Sequence, residues 1–156
     1  MALAALLPRC DNGATGEEAC RSIEEQRCAS VQGCPASTVV SDGDVTNCQL
    51  FYRDECLYGM ADSLDPSADT TNACVAAIAG ARACSDANLL LGPCNTPGSP
   101  VGGPALSPGT SAAATGCDAV MHPELLQACV FLAAVPPVAD AGSGGTGGSD
   151  TGSDGG

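Results

Sequence analysis

Between residues 45 and 60 the apolar side chains recur at helical spacing: Val45, Cys48, Phe51, Tyr52 and Cys56 fall on one stripe, which predicts a helix from about Val45 to Met60 with that stripe turned inward. The preceding "SDGD" offers Ser41 or Asp44 as its cap. "TTNACVAAIAGARAC" repeats the pattern, with Cys74, Ile78, Ala81 and Cys84 on the buried side. Pro66 in "DSLDPSAD" separates the two helices, and Asp65, Asp69 or Thr70 can cap the second of them. Upstream, "TGEEACRSIEEQRC" opens with Thr15 and Glu18 in a capping-box pattern and adds a Glu17–Arg21 pair at i, i+4. Gly33 and Pro35 end that helix. "CDAVMHPELLQACVFLAAV" predicts a last short helix with Pro123 in its first turn.

Between and beyond these elements the pattern fades. Residues 1–14, opening "MALAALL", read as a residual export signal or anchor region, apolar but without a basic start, so the true start is expected upstream. Residues 15–94 form a disulfide-rich helical domain. Residues 95–116 are rich in Pro, Gly and Ser, with only Val101 and Leu106 as larger apolar groups, and read as a linker or mobile loop. Residues 117–138 hold the short C-terminal helix with its own disulfide, and 139–156 a Gly/Ser tail expected to be disordered because it has almost nothing to bury.

Composition changes the picture in one respect. The hydrophobic fraction is 44%, but alanine supplies a large share of it, and the chain has two Phe, two Tyr and no Trp. Such a core is thin against a conformational cost of about 1–2 kcal/mol per ordered residue. Eleven cysteines are available to take over, each disulfide contributing about 2–4 kcal/mol. Metal binding is disfavoured: no C-x-x-C occurs, the closest pair is Cys28 and Cys34, and His122 is the sole histidine. The lack of C-x-x-C also removes the usual thiol redox motif.

Geometry guides the pairing. Cys48 and Cys56 on one helix point within about 80° of each other, as do Cys74 and Cys84 on the next. Folding the two helices antiparallel about Pro66 brings Cys56 to Cys74 and Cys48 to Cys84, with Ala73, Ala76, Ala77, Gly80, Ala81 and Ala83 allowing close approach. Cys28 with Cys34, Cys20 with Cys94, and Cys117 with Cys129 complete the expected set. Eight cysteines alone permit 105 pairings, so topology is the only guide. Cys10 is left over. Its place after an apolar run resembles the lipid-modified cysteine of bacterial lipoproteins, matching at Leu7 and departing at Arg9; a free thiol and an intermolecular disulfide stand beside lipidation.

The segments "EACRSIEEQRC", "VTNCQLFYRDECLYG" and "NACVAAIAGARAC" together resemble the Cys-rich exported proteins of myxobacteria, over roughly residues 17–94. The resemblance implies export and disulfides, and no active site. In construction the chain is also similar to the twin-cysteine helical hairpins of mitochondrial intermembrane proteins: Cys74 and Cys84 have their spacing, and Cys48 and Cys56 are two residues short of it.

The formal charge is -13, with no lysine and five scattered arginines, which excludes an ordinary nucleic-acid or anionic-lipid binder. No apolar run approaches the roughly 18 residues of a membrane span. His122 with Asp118 lacks a marked nucleophile, and the adjacent carboxylates Glu17/Glu18, Glu24/Glu25 and Asp54/Glu55 diverge by about 100° on a helix. "SDGD" and the Asp65, Asp69, Asn72 series do not match a calcium loop, nor does the tail "GGTGGSD" match the calcium repeat it approaches.

The expectation is therefore a small all-α protein, a disulfide-stapled helical hairpin with one or two further short helices, long loops and a disordered tail. It is expected to be monomeric, without cofactor, and extracellular, periplasmic or on the outer cell surface, touching a membrane only through a lipid at Cys10. Its expected role is a non-enzymatic structural or interaction protein with a protein or cell-surface partner. A secreted effector, such as a hydrolase inhibitor or toxin-like ligand, is the alternative.

Overall fold

The computed structural model describes residues 16–35, 37–60 and 65–133. Thr15, Cys10, the rest of residues 1–14 expected to hold an export signal or anchor, and residues 134–156 lie outside the described residues. Within them the chain is helical: α1 (Glu17–Ser30), α2 (Asp42–Glu55), α3 (Ala68–Asp86), α4 (Leu91–Cys94) and α5 (Gly116–Met121), with 3-10 turns at Cys56–Tyr58, Pro123–Leu125 and Gln127–Leu132. No strand forms among the described residues, only the isolated bridges Leu90–Thr115 and Leu106–Leu126.

α3 is the centre. Thr71, Cys74, Ile78, Ala81 and Cys84 repeat every three or four positions and are all buried. α1 packs on one side of α3, while α5 and the Gln127–Leu132 turn pack on others. The core between them consists of Ile23, Ile78, Leu91, Val120 and Leu126 with buried cystines, all at 0–1% exposure. None of its members is aromatic.

Caps set the element starts. Ser41 accepts from the Asp44 backbone N–H at 3.3 Å, and Asp44 Oδ2 accepts from the Ser41 N–H at 3.0 Å, closing the box that begins α2. Thr115 and Asp118 do the same for α5. Ser67 caps α3, in place of the expected Asp65, Asp69 or Thr70. α1 has Gly16, a buried left-handed residue (φ 67°), as its N-cap; the Thr15 of the expected capping box lies outside the described residues. The Glu17–Arg21 pair is present at 2.9 Å.

The hairpin is built from a different pair of helices than expected. α2 lies against α1, tied by Cys20–Cys56 and Cys28–Cys48, so the anticipated Cys56–Cys74 and Cys48–Cys84 bridges do not form. The reason is register: Cys20 and Cys28 are eight residues apart, as are Cys48 and Cys56, so both rungs of an antiparallel pair close without mismatch in rise. The ten-residue interval from Cys74 to Cys84 does not match the eight of α2. Cys84 instead closes a short loop with Cys94, which removes Cys94 from Cys20; Cys74 pairs with Cys129 and Cys34 with Cys117. The C-terminal segment thus has no internal Cys117–Cys129 bridge and is tied twice to the rest of the fold.

Residues 95–116 are not a loose linker. Gly103 N–H donates to Cys94 at 2.8 Å, Gly92 N–H to Ala112 at 3.0 Å, Leu91 N–H to Ala114 at 2.9 Å and Gln127 N–H to Ala105 at 3.0 Å. Small residues permit this backbone docking. A Cβ on Gly103 would lie 2.8 Å from Cys94 Sγ and 2.9 Å from Cys84 Sγ, and one on Gly116 would lie 2.0 Å from the Ala81 carbonyl oxygen. Of the small residues of α3 expected to admit α2, Ala73 and Ala76 are exposed and Gly80 faces Pro104, while α5 packs at Ala81.

The Asp118 carboxylate accepts from the Thr115 backbone N–H at 2.8 Å and from its hydroxyl at 2.9 Å, which hold its pKa below the ordinary 3.8. The stability this lends is present above that ordinary value and is lost as pH falls through the lower, folded value. Melting temperatures measured from pH about 5 down to about 2 should therefore fall, and fall less steeply in Asp118→Asn. An identical acid limb in the variant would contradict this role for the box.

Candidate functional site

Most of the large apolar side chains that the core leaves exposed lie between residues 40 and 58. Val40 (71%), Leu50 (44%), Phe51 (58%) and Tyr58 (84%) are all there, and α2 has no buried residue. Phe51 and Tyr52 were expected to face inward. Instead the side of α2 that meets α1 is anchored by its cystines, and the aromatic rings lie on a groove and on the surface. Phe51 and Tyr52 meet edge to face, their centroids 5.1 Å apart.

The groove lies between the C-terminal half of α1, residues 37–39 and α2, with a volume of about 620 Å³. Cys28–Cys48, Val31, Val39 and Val120 supply apolar lining, and Phe51 and Tyr52 line the α2 side. Glu24, Arg27, Asp44 and Asn47 add polar groups.

Arg27 is committed to the fold. Its Nε donates to the Val120 carbonyl and Nη2 to the Met121 carbonyl, each at 3.1 Å, satisfying the end of α5, while Nη1 pairs with Glu24 at 2.7 Å. Arg82 of α3 holds the C-terminal end of α1 in the same manner, donating to the Ser30 and Gln32 carbonyls and pairing with Asp86 at 2.9 Å. Asp44 differs. The Ser41 hydroxyl, followed by the Val40 and Ser41 backbone N–H groups, holds its pKa below 3.8, so it is charged at neutral pH. All three groups reach Oδ2, leaving Oδ1 without a partner among the described residues.

The lining holds neither imidazole nor thiol, since Cys28 and Cys48 are joined. His122 is 64% exposed beside Glu124, and Asp118 is engaged in capping α5. Among the described residues no three His, Cys, Asp or Glu side chains cluster as a metal site. What the groove offers is an apolar recess beside a fixed negative charge, an arrangement suited to receiving another molecule's side chains.

The ten cysteines singled out in the sequence are all in disulfides, in pairings that spacing could have revealed only through the equal intervals of α1 and α2. The aromatic face was missed because periodicity identifies a stripe without identifying what covers it. One available signal was the chain's scarcity of aromatics, three of its four lying between residues 51 and 58. The chain matches no family model, no curated protein and no solved structure.

Proposed function

We propose that this chain is a non-enzymatic, exported binding module that presents α2 and its groove to a protein partner. The observation that carries the reading is the placement of Phe51 and Tyr52 on the outer helix and of Tyr58 on the turn that follows it, away from a fully buried core that has no aromatic member and against which only Phe131 of the chain's four rings packs. In a chain this poor in large side chains, rings left at the surface are unused for folding, and aromatic residues are enriched where proteins bind one another. Five disulfides belong to a fold of an oxidising compartment, and no helix among the described residues is long and apolar enough to cross a membrane. The resemblance to Cys-rich exported proteins agrees, and a lipid on Cys10 would hold the module at a cell surface.

Site-directed photo-crosslinking on the producing cells tests the proposal. A photoreactive phenylalanine analogue in place of Tyr58 should yield one discrete adduct, whereas the same group at Asn72, exposed on α3, should yield none. Phe51→Ala with Tyr58→Ala should abolish the partner's capture while melting within about 0.5 kcal/mol of the parent, as surface substitutions usually do. No adduct from position 58, or equal adducts from both positions, would rule out α2 as the recognition face.

A further inference from the structure

The groove's walls and its surrounding charge together describe what it receives. Residues 16–60 carry eight carboxylates and three arginines, and each arginine already has a carboxylate: Arg21 with Glu17 at 2.9 Å, Arg27 with Glu24 at 2.7 Å, Arg53 with Asp54 at 3.3 Å. Glu18, Glu25, Asp42, Asp44 and Glu55 are left without an arginine among the described residues; of these Asp44 lines the groove itself, while Glu18 and Glu25 border other recesses and add to the general negative field. The chain has no lysine to offset them. Beside that charge stand the apolar walls of Val39, Phe51 and Tyr52.

From this, and resting on the reading of the chain as a binding module, we infer that the groove docks a basic amphipathic segment of a partner protein. Its apolar side chains lie on Phe51, Tyr52 and Val39, and its Lys or Arg meets the Asp44 carboxylate. A cation beside exposed aromatic rings gains further from their π faces. A second copy of this chain is a poor occupant, because two surfaces of a molecule with charge -13 repel. The chain's own residues 134–156 carry Asp140, Asp150 and Asp154 with no basic residue, and suit the groove no better. The volume of about 620 Å³ accommodates several side chains, more than a single ion requires.

Two synthetic peptides provide the test. They share one apolar helical face; one carries Lys and Arg on its polar face, the other Glu. Each is titrated calorimetrically into the full-length oxidised chain at physiological salt. The basic peptide should bind with Kd in the micromolar range and the acidic one should give no saturable heat. Phe51→Ala should weaken the basic peptide at least about tenfold, Asp44→Asn should weaken it several-fold, and Asn72→Ala should leave it unchanged. Melting curves of the variants establish that they are folded.

Equal binding of both peptides, or none of either, would overturn the inference. So would Phe51→Ala binding as tightly as the parent, since the attraction would then be diffuse and the groove uninvolved. The two readings fail separately. A discrete adduct from position 58 with no affinity for the basic peptide would leave the binding module standing and remove its basic ligand, whereas failure of both experiments would remove both.

Discussion

Reduced and alkylated under native conditions, the chain should lose most of its far-ultraviolet circular dichroism and its cooperative melt. The two bridges that tie the ends of the fold together, Cys34–Cys117 and Cys74–Cys129, span 83 and 55 residues. Loop-closure entropy assigns each about 4–5 kcal/mol, against a typical net stability of about 5–15 kcal/mol for a whole domain. Removing both, with three shorter bridges besides, takes away at least as much as such a domain has. The remaining core cannot compensate, because its largest members are two isoleucines, two leucines and a valine. α2 should detach first: with no buried residue, it is held to α1 chiefly by Cys20–Cys56 and Cys28–Cys48. A reduced, alkylated chain that keeps its helix signal and melts cooperatively would show that apolar packing suffices.

The largest expected effect of a single added methyl group is at Gly116. A Cβ there would stand 2.0 Å from the Ala81 carbonyl oxygen and 3.0 Å from Ser85 Cβ. The obstacle is backbone in the middle of the central helix and cannot rotate away. Gly116→Ala must push α5 off α3, carrying along Ala119 and Val120, which are 0–1% exposed. Overpacking of this kind costs about 1–3 kcal/mol, and a rigid obstacle places this case at the upper end or beyond. Gly43→Ala is the matched control. Its added Cβ meets only Ser41 Oγ at 3.7 Å within α2, so it should stabilise by up to about 1 kcal/mol by reducing backbone freedom. Thermal or denaturant melts of the oxidised variants would measure both, and a Gly116→Ala protein as stable as the parent would contradict the close packing of α5 on α3.

α3 was the most legible element in the sequence. Cys74, Ile78, Ala81 and Cys84 form the predicted buried side, and Thr71 extends it by one turn. The small all-α, disulfide-rich class followed from the same facts that weakened the core, namely many cysteines and few large side chains. What could not be read directly was partnership. Any cysteine-bearing helical face can be docked on another; adjacency across Pro66 favours α2 with α3, whereas the matched intervals of Cys20/Cys28 and Cys48/Cys56 favour α1 with α2, and the intervals prevail. Residues 95–116 are illegible for a related reason. Their order comes from backbone hydrogen bonds and from Gly103 seated against the Cys84–Cys94 cystine, and neither leaves a hydrophobic pattern to detect.

The candidate groove was less legible still. Phe51 and Tyr52 satisfied the helical period, and periodicity alone cannot separate a ring that packs inside from one that lines a recess. The same stripe does both here, with Cys56 fully buried and Phe51 more than half exposed. The capping box behind Asp44 is half visible in the sequence, since Ser41 and Asp44 both suit a cap; that they act together, Ser41 as cap and Asp44 three residues on, depends on where the chain enters α2.

The bridge from Cys34 to Cys117 has a consequence for biogenesis. During oxidative folding Cys34 must find a mate 83 residues away, whereas Cys28 is its near neighbour along the chain. Rapid oxidation can couple those two, which leaves Cys48 without its mate. Reaching the native set then requires thiol–disulfide exchange to reopen the wrong link, so the yield of correctly bridged chain should depend on exchange more than on the strength of the oxidant.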